Sequence, residues 1–128
     1  MVAELDWFEH KAAERQIDLG AALHPAARVY IDYLYALCDR PYSVQLTALW
    51  ALERAYLDAW RGASPGAQAF REFVEHWTSD AFAAYVAALE AVTSRVLGQS
   101  GEAEHEAFRQ VARHERAFWE MAFESVDA

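Results

Sequence analysis

Between Leu46 and Trp60 the apolar side chains return every three or four positions, so that Leu46, Leu49, Trp50, Tyr56, Leu57 and Trp60 share one face of a helix. A second stripe, Phe108, Val111, Phe118 and Ala122, repeats the pattern near the C-terminal end. Each stripe is interrupted in its middle by a carboxylate, Glu53 in the first and Glu115 in the second. A carboxylate buried without partners forfeits much of its hydration energy, or its pKa climbs until it is neutral. The fold must therefore supply buried donors to both groups, or the protein uses them. Either way the chain is expected to hold a polar pocket inside a helical core.

The remaining segments carry the same period. A first helix is predicted over about 4–17, with Leu5, Phe8 and Ala12 inward and Gly20 closing the segment after it. Pro25 suits the first turn of a second helix that runs to about 38, with Tyr30, Tyr33 and Tyr35 spread over more than one face. Pro41 starts the third and strongest helix, ending near 61, and residues 62–66 (Gly-Ala-Ser-Pro-Gly) form the clearest loop. A short helix follows with Phe70, Phe73, Val74 and Trp77 at helical spacing, then a break and new N-cap at 78–80. The helix begun there carries Phe82, Tyr85, Val86, Leu89, Val92 and Val96 and stops at Gly98; a loop over 99–102 precedes a last helix to about 125. Short connections make these helices antiparallel neighbours, hence a single all-α bundle domain over 1–128.

Composition supports that reading and removes several functions. Hydrophobic residues make up 55% of the chain, which argues against disorder. A net charge of −9, with no basic cluster on one side of any predicted helix, makes nucleic acid an unexpected partner. Cys38 is the single cysteine, so neither an intrachain disulfide nor a cysteine zinc site can form, which suits a reducing cytoplasm. The acidic start, 1–6, does not look like a secretory leader, and no apolar run approaches the ~20 residues that cross a bilayer. A soluble cytoplasmic protein with no membrane partner is expected.

Tyr56 lies three residues after Glu53 on the same helical face, where a hydroxyl can orient a carboxylate and tune it for acid/base work. The competing reading is a structural ion pair with an arginine from another helix, and the same two readings apply to Glu115. Phe118 and Trp119 could wall a small-molecule pocket, although on chemistry alone they read as core. A di-iron centre needs two Glu-x-x-His patterns plus two more glutamates, and the chain offers one, Glu102 to His105. His76 and His114 each adjoin a glutamate directly, which does not bring the pair to one face, so no metal and no cofactor is expected. Cys38 stands near a helix end where the dipole raises a thiol pKa, and reads as a core or rim thiol.

Together these stretches resemble the TenA/thiaminase II family of aminopyrimidine hydrolases. Trp7-Phe8-Glu9 and Pro25 to Leu34 look like the family's middle section, and Leu49 to Trp60 resembles the helix bearing its catalytic centre. Phe70 to Phe82 and Glu115 to Ala122 are similar to its tyrosine- and tryptophan-bearing segment and its closing helix. The resemblance implies a haem-oxygenase-like all-α fold without haem. The family has a cysteine branch and a glutamate branch; counting back four residues from Tyr56 reaches Leu52, beside Glu53, which implies the glutamate branch. Cys38 does not match the catalytic position.

Carried over, Glu53 is the acid/base or water-activating group, and Glu115 holds the pyrimidine amino group or shuttles a proton. Tyr56, Trp50, Phe70 and Trp119 are the candidate ring contacts. Phe70 and Phe73 stand where the family has a tyrosine and a tryptophan. Family members are also longer, and the N-terminal region that supplies an aspartate and a tyrosine to the ring has no counterpart here. The implied function is hydrolysis of a C–N bond on a thiamine-derived pyrimidine, by a site incomplete in this chain alone. The alternative is a non-catalytic helical remnant that self-associates, or one half of a split protein. Apolar faces left open by the missing helices imply a homo-oligomer or a complementing N-terminal fragment.

Overall fold

The computed structural model describes residues 2–97 and 101–124. They form α1 (Val2–Glu14), α2 (Pro25–Ala36), α3 (Tyr42–Ala63), α4 (Arg71–Trp77), α5 (Asp80–Leu97) and α6 (Glu102–Glu124), with 3-10 turns at Leu37–Asp39 and Gln68–Phe70. No strand occurs among the described residues, and no helix is long and apolar enough to cross a membrane. The stop expected at Gly98, the start of the loop after it, and the end of the last helix at Ser125 lie outside the described residues.

Local chemistry sets the helix ends. His24 caps α2 by accepting the Ala26 N–H on Nδ1 at 3.1 Å, with Pro25 in the first turn. Ser79 opens α5, its Oγ accepting the Phe82 N–H at 3.2 Å, as expected for a cap in the 78–80 break. The first helix stops earlier than its sequence implies. Gln16 takes a left-handed φ of 55°, and the Ile17 and Gln16 N–H groups fold back onto the Ala12 and Ala13 carbonyls at 2.9 and 3.2 Å. That is the 6→1 and 5→2 bond pair of a Schellman ending, with glutamine in place of the usual glycine. Gly20 is therefore not the stop. Gly66, at φ 70°, does need to be glycine, since a Cβ there would meet Val74 Cγ2 at 3.0 Å.

The bundle is built around α3, which packs against α4, α5 and α6, while α2 lies on α6. Because neighbours cover α3 from several sides, Val44, Leu46, Thr47, Ala48, Ala51 and Leu57 are all buried. Leu49, read as part of the inner stripe, is 42% exposed. Val86 of α5 and Val111 of α6 are the most completely buried larger side chains, each worth roughly 1.5–3 kcal/mol of transfer energy. On α6 the buried row is Ala107, Val111 and Glu115, one per turn; Phe108 is half exposed and stacks on Trp50 with centroids 6.0 Å apart.

The first helix, α1, is tied to α4 by side chains. The Trp7 ring stacks on His76 at 3.9 Å and meets Phe73 edge-on at 5.4 Å. Lys11 and Arg15 both reach Glu72 at 2.8 Å, and Arg15 also donates to the Ala69 carbonyl at 2.7 Å. On α2, Tyr30 is buried, Tyr33 partly so and Tyr35 exposed, as the mixed-face reading of that helix predicts.

Candidate active site

The middle of α3 borders a cleft of about 630 Å3, a size that suits a small molecule. Its walls come from four helices: Glu4 and Phe8 of α1, Leu52, Glu53 and Tyr56 of α3, His76 and Trp77 of α4, and Ala81, Phe82 and Tyr85 of α5, with Ser79 at the α4–α5 junction. Trp77 is the hub of the aromatic wall. Its buried indole takes Tyr56 edge-on at 5.0 Å and Phe82 at 5.3 Å, with Phe8 at 5.8 Å. Aromatic pairs of this kind add about 0.5–1.5 kcal/mol beyond their buried area and fix the wall's shape.

Glu53 lies in this wall, partly buried. Burial holds its carboxyl above the ordinary value of 4.5; hydrogen bonding from the Tyr85 hydroxyl opposes the rise, and the negative charges of Glu115 and Glu4 add to it. Burial likewise pushes the Tyr85 and Tyr56 hydroxyls up, with Glu53's charge contributing to both. The phenol that acts directly on Glu53 is thus Tyr85, from α5, rather than Tyr56, its neighbour on the same helix. Among the described residues no Lys or Arg lines the cleft. Two carboxylates among aromatic faces favour a flat ligand bearing amino groups and disfavour a phosphate.

Glu115 stands behind this wall. It is 7% exposed, and each of its oxygens accepts one hydrogen bond: Oε1 from the Tyr30 hydroxyl at 2.7 Å, Oε2 from the Trp119 indole at 3.0 Å. Among the described residues no arginine pairs with it, so the ion-pair reading fails for Glu115 there. Trp119 in turn packs on Tyr56 at 6.0 Å, which links the buried carboxylate to the cleft wall. Burial and the bond to Glu115 push the Tyr30 hydroxyl far above its ordinary range.

Of the residues singled out in the sequence, Glu53 and Tyr56 line the cleft, and Glu115 and Trp119 support it from one layer further in. Trp50 and Phe70 are not brought there. Trp50 instead packs on Phe108 of α6, and its buried indole N–H has no acceptor among the described residues. Phe70 ends the Gln68–Phe70 turn, 56% exposed, with the Arg15 guanidinium 5.3 Å from its ring centre. Glu4, His76, Trp77 and Tyr85 complete the cleft from three other helices, a convergence no spacing within one segment reveals. Cys38 is an exposed thiol in the Leu37–Asp39 turn, away from the cleft. Among the described residues no three His, Cys, Asp or Glu side chains are grouped to hold a metal ion.

Comparison with known proteins agrees with this architecture. The profile of the TENA/THI-4/PQQC family matches residues 4–125. A soybean (Glycine max) protein described as a probable bifunctional TENA-E protein is 27% identical, over 93% of this chain and 57% of its own length. The crystal structure of a TenA homologue from Pyrococcus furiosus superposes with a TM-score of 0.84 at 31% identity, covering 93% of this chain and 62% of that one. The chain therefore spans somewhat over half the length of these relatives, and its helices follow the haem-oxygenase-like arrangement expected from the sequence. By sequence profile and by fold, the chain belongs to the TENA/THI-4/PQQC family.

Proposed function

We propose that the cleft hydrolyses a C–N bond on a thiamine-derived aminopyrimidine, as a thiaminase II-type aminohydrolase of thiamine salvage. The observation that carries this reading is Glu53: a partly buried carboxyl, raised in pKa by burial, set in an aromatic wall beside the Tyr85 hydroxyl. A carboxyl so placed has the driving force to take a proton from water near neutral pH. The Trp77, Phe82 and Tyr56 rings give a flat pyrimidine an apolar wall that keeps out competing solvent. The Glu115–Tyr30–Trp119 set holds the α3–α6 side of the wall rigid. Incubating the chain with aminomethyl- and formylaminomethyl-pyrimidines tests this; release of the amine with formation of the hydroxymethyl product is expected. Compounds that bind but are returned unchanged would refute it.

The partner reading rests on a separate observation. Val29 and Tyr35 on α2, Val2 and Leu5 on α1, and Phe123 at the end of α6 are 55–76% exposed. Apolar side chains this open favour association with a second copy or with a complementing helical segment. Light scattering on the purified chain is expected to give more than the monomer mass of 14.5 kDa; a stable monomer would remove this reading.

A further inference from the structure

The cleft holds a second proton-carrying group that the reading of Glu53 leaves unused. His76 lines it, and its ring is fixed on two sides. Trp7 lies flat against it, centroids 3.9 Å apart and planes 8° from parallel, and Nε2 meets the Glu4 carboxylate at 3.1 Å. Trp77 adds an edge contact at 4.7 Å. A surface histidine that merely links two helices does not need a stacked aromatic, a carboxylate partner and a place in a cavity wall together. A carboxylate that accepts a hydrogen bond from Nε2–H sets the tautomer and leaves Nδ1 as the nitrogen that exchanges protons, as a carboxylate on one ring nitrogen frees the other for acid/base work.

We propose that His76, oriented by Glu4 and clamped by Trp7, is the general acid that protonates the departing nitrogen, while Glu53 removes the proton from the attacking water. The inference rests on the hydrolase reading of the cleft. Hydrolysis needs both transfers. Water's oxygen bonds to the carbon as its proton passes to Glu53; the C–N bond breaks as its electron pair takes a proton from the imidazolium. The amine leaves neutral, and the proton on Glu53 returns to His76 through solvent. The titratable groups that share the cleft with His76 are Glu4 from α1, Glu53 and Tyr56 from α3, and Tyr85 from α5. On its own helix, Glu72 is engaged by Lys11 and Arg15, and Glu75 is exposed.

The test is the pH–rate profile of amine release for the wild type, His76→Gln, His76→Phe and Glu4→Gln, with folding checked by circular dichroism. His76→Phe retains a ring for Trp7 to stack on, so it separates the lost nitrogens from lost packing. The wild-type kcat profile is expected to be bell-shaped. Both His76 variants should lose the alkaline limb and about 10²-fold in kcat, with KM little changed. Glu4→Gln should fall between, keeping both limbs. An active wild type whose folded His76→Phe variant keeps both limbs and kcat within a factor of three overturns the role of His76 and leaves the hydrolase reading standing. A wild type that binds the pyrimidines without turnover overturns both.

Discussion

The hydroxyl of Tyr30 on α2 donates to Glu115 on α6 across 2.7 Å, joining two residues 85 positions apart in a buried site where the second carboxylate oxygen is already taken by the Trp119 indole. This bond helps anchor α2 to α6, and with the Trp119 bond it satisfies a carboxylate that would otherwise be incompatible with its surroundings. Replacing Tyr30 with Phe strands Oε1. A loss of about 1–3 kcal/mol is expected in urea unfolding. In a double-mutant cycle with Glu115→Gln the two changes should be non-additive; strictly additive losses would mean that the bond contributes nothing.

Glu53 predicts the opposite sign. Its pKa is raised in the folded protein, so the folded state holds its proton more tightly than the unfolded chain does. The stability tied to that proton is fully present below the ordinary value of 4.5 and is lost as pH rises from there through the raised folded value. Glu53→Gln cannot ionise and escapes the loss. The variant should gain stability relative to the wild type as pH goes from 4 to 7, measured by thermal unfolding at both; an equal difference at both would show that burial does not perturb Glu53. A stability gain coupled to lost turnover is the signature of a functional group held in an unfavourable setting.

The ending of α1 gives a backbone prediction. A left-handed conformation costs a non-glycine residue about 1–2 kcal/mol, part of which glycine returns through its greater freedom when unfolded. Gln16→Gly should therefore stabilise the fold by about 0.5–1 kcal/mol. An unchanged or lower denaturation midpoint would contradict the Schellman ending.

Much of the fold was legible in the sequence because helical periodicity, prolines in first turns and short loops are local signals. The two carboxylates were legible for the same reason, since a charge on an apolar stripe is conspicuous. What could not be read was tertiary. Tyr85, His76 and Glu4 look like ordinary members of three separate helices, and only the packing of those helices brings them into one cleft with Glu53. Tyr56 looked like the natural partner because it shares a face, yet the phenol that holds down the Glu53 pKa comes from α5. Leu49 and Phe108 fit their stripes by spacing but turned out half exposed. Gln16 gave no warning, because a left-handed glutamine carries no compositional mark.

The redrawn site separates the aromatic residues. Phe70→Leu lies outside the cleft and should leave kcat/KM within about threefold, whereas Trp77→Leu removes the hub of the wall and should lower it by at least about tenfold. Steady-state kinetics on both variants decides the matter; equal losses would return Phe70 to the site.

The most direct test of the account is turnover of an aminopyrimidine by Glu53→Gln, a variant of nearly the same shape that cannot accept a proton. With circular dichroism confirming the fold, kcat for amine release is expected to fall by about 10²–10⁴-fold while the pyrimidine still binds. Turnover equal to the wild type's would contradict the assignment of Glu53 as the group that activates water.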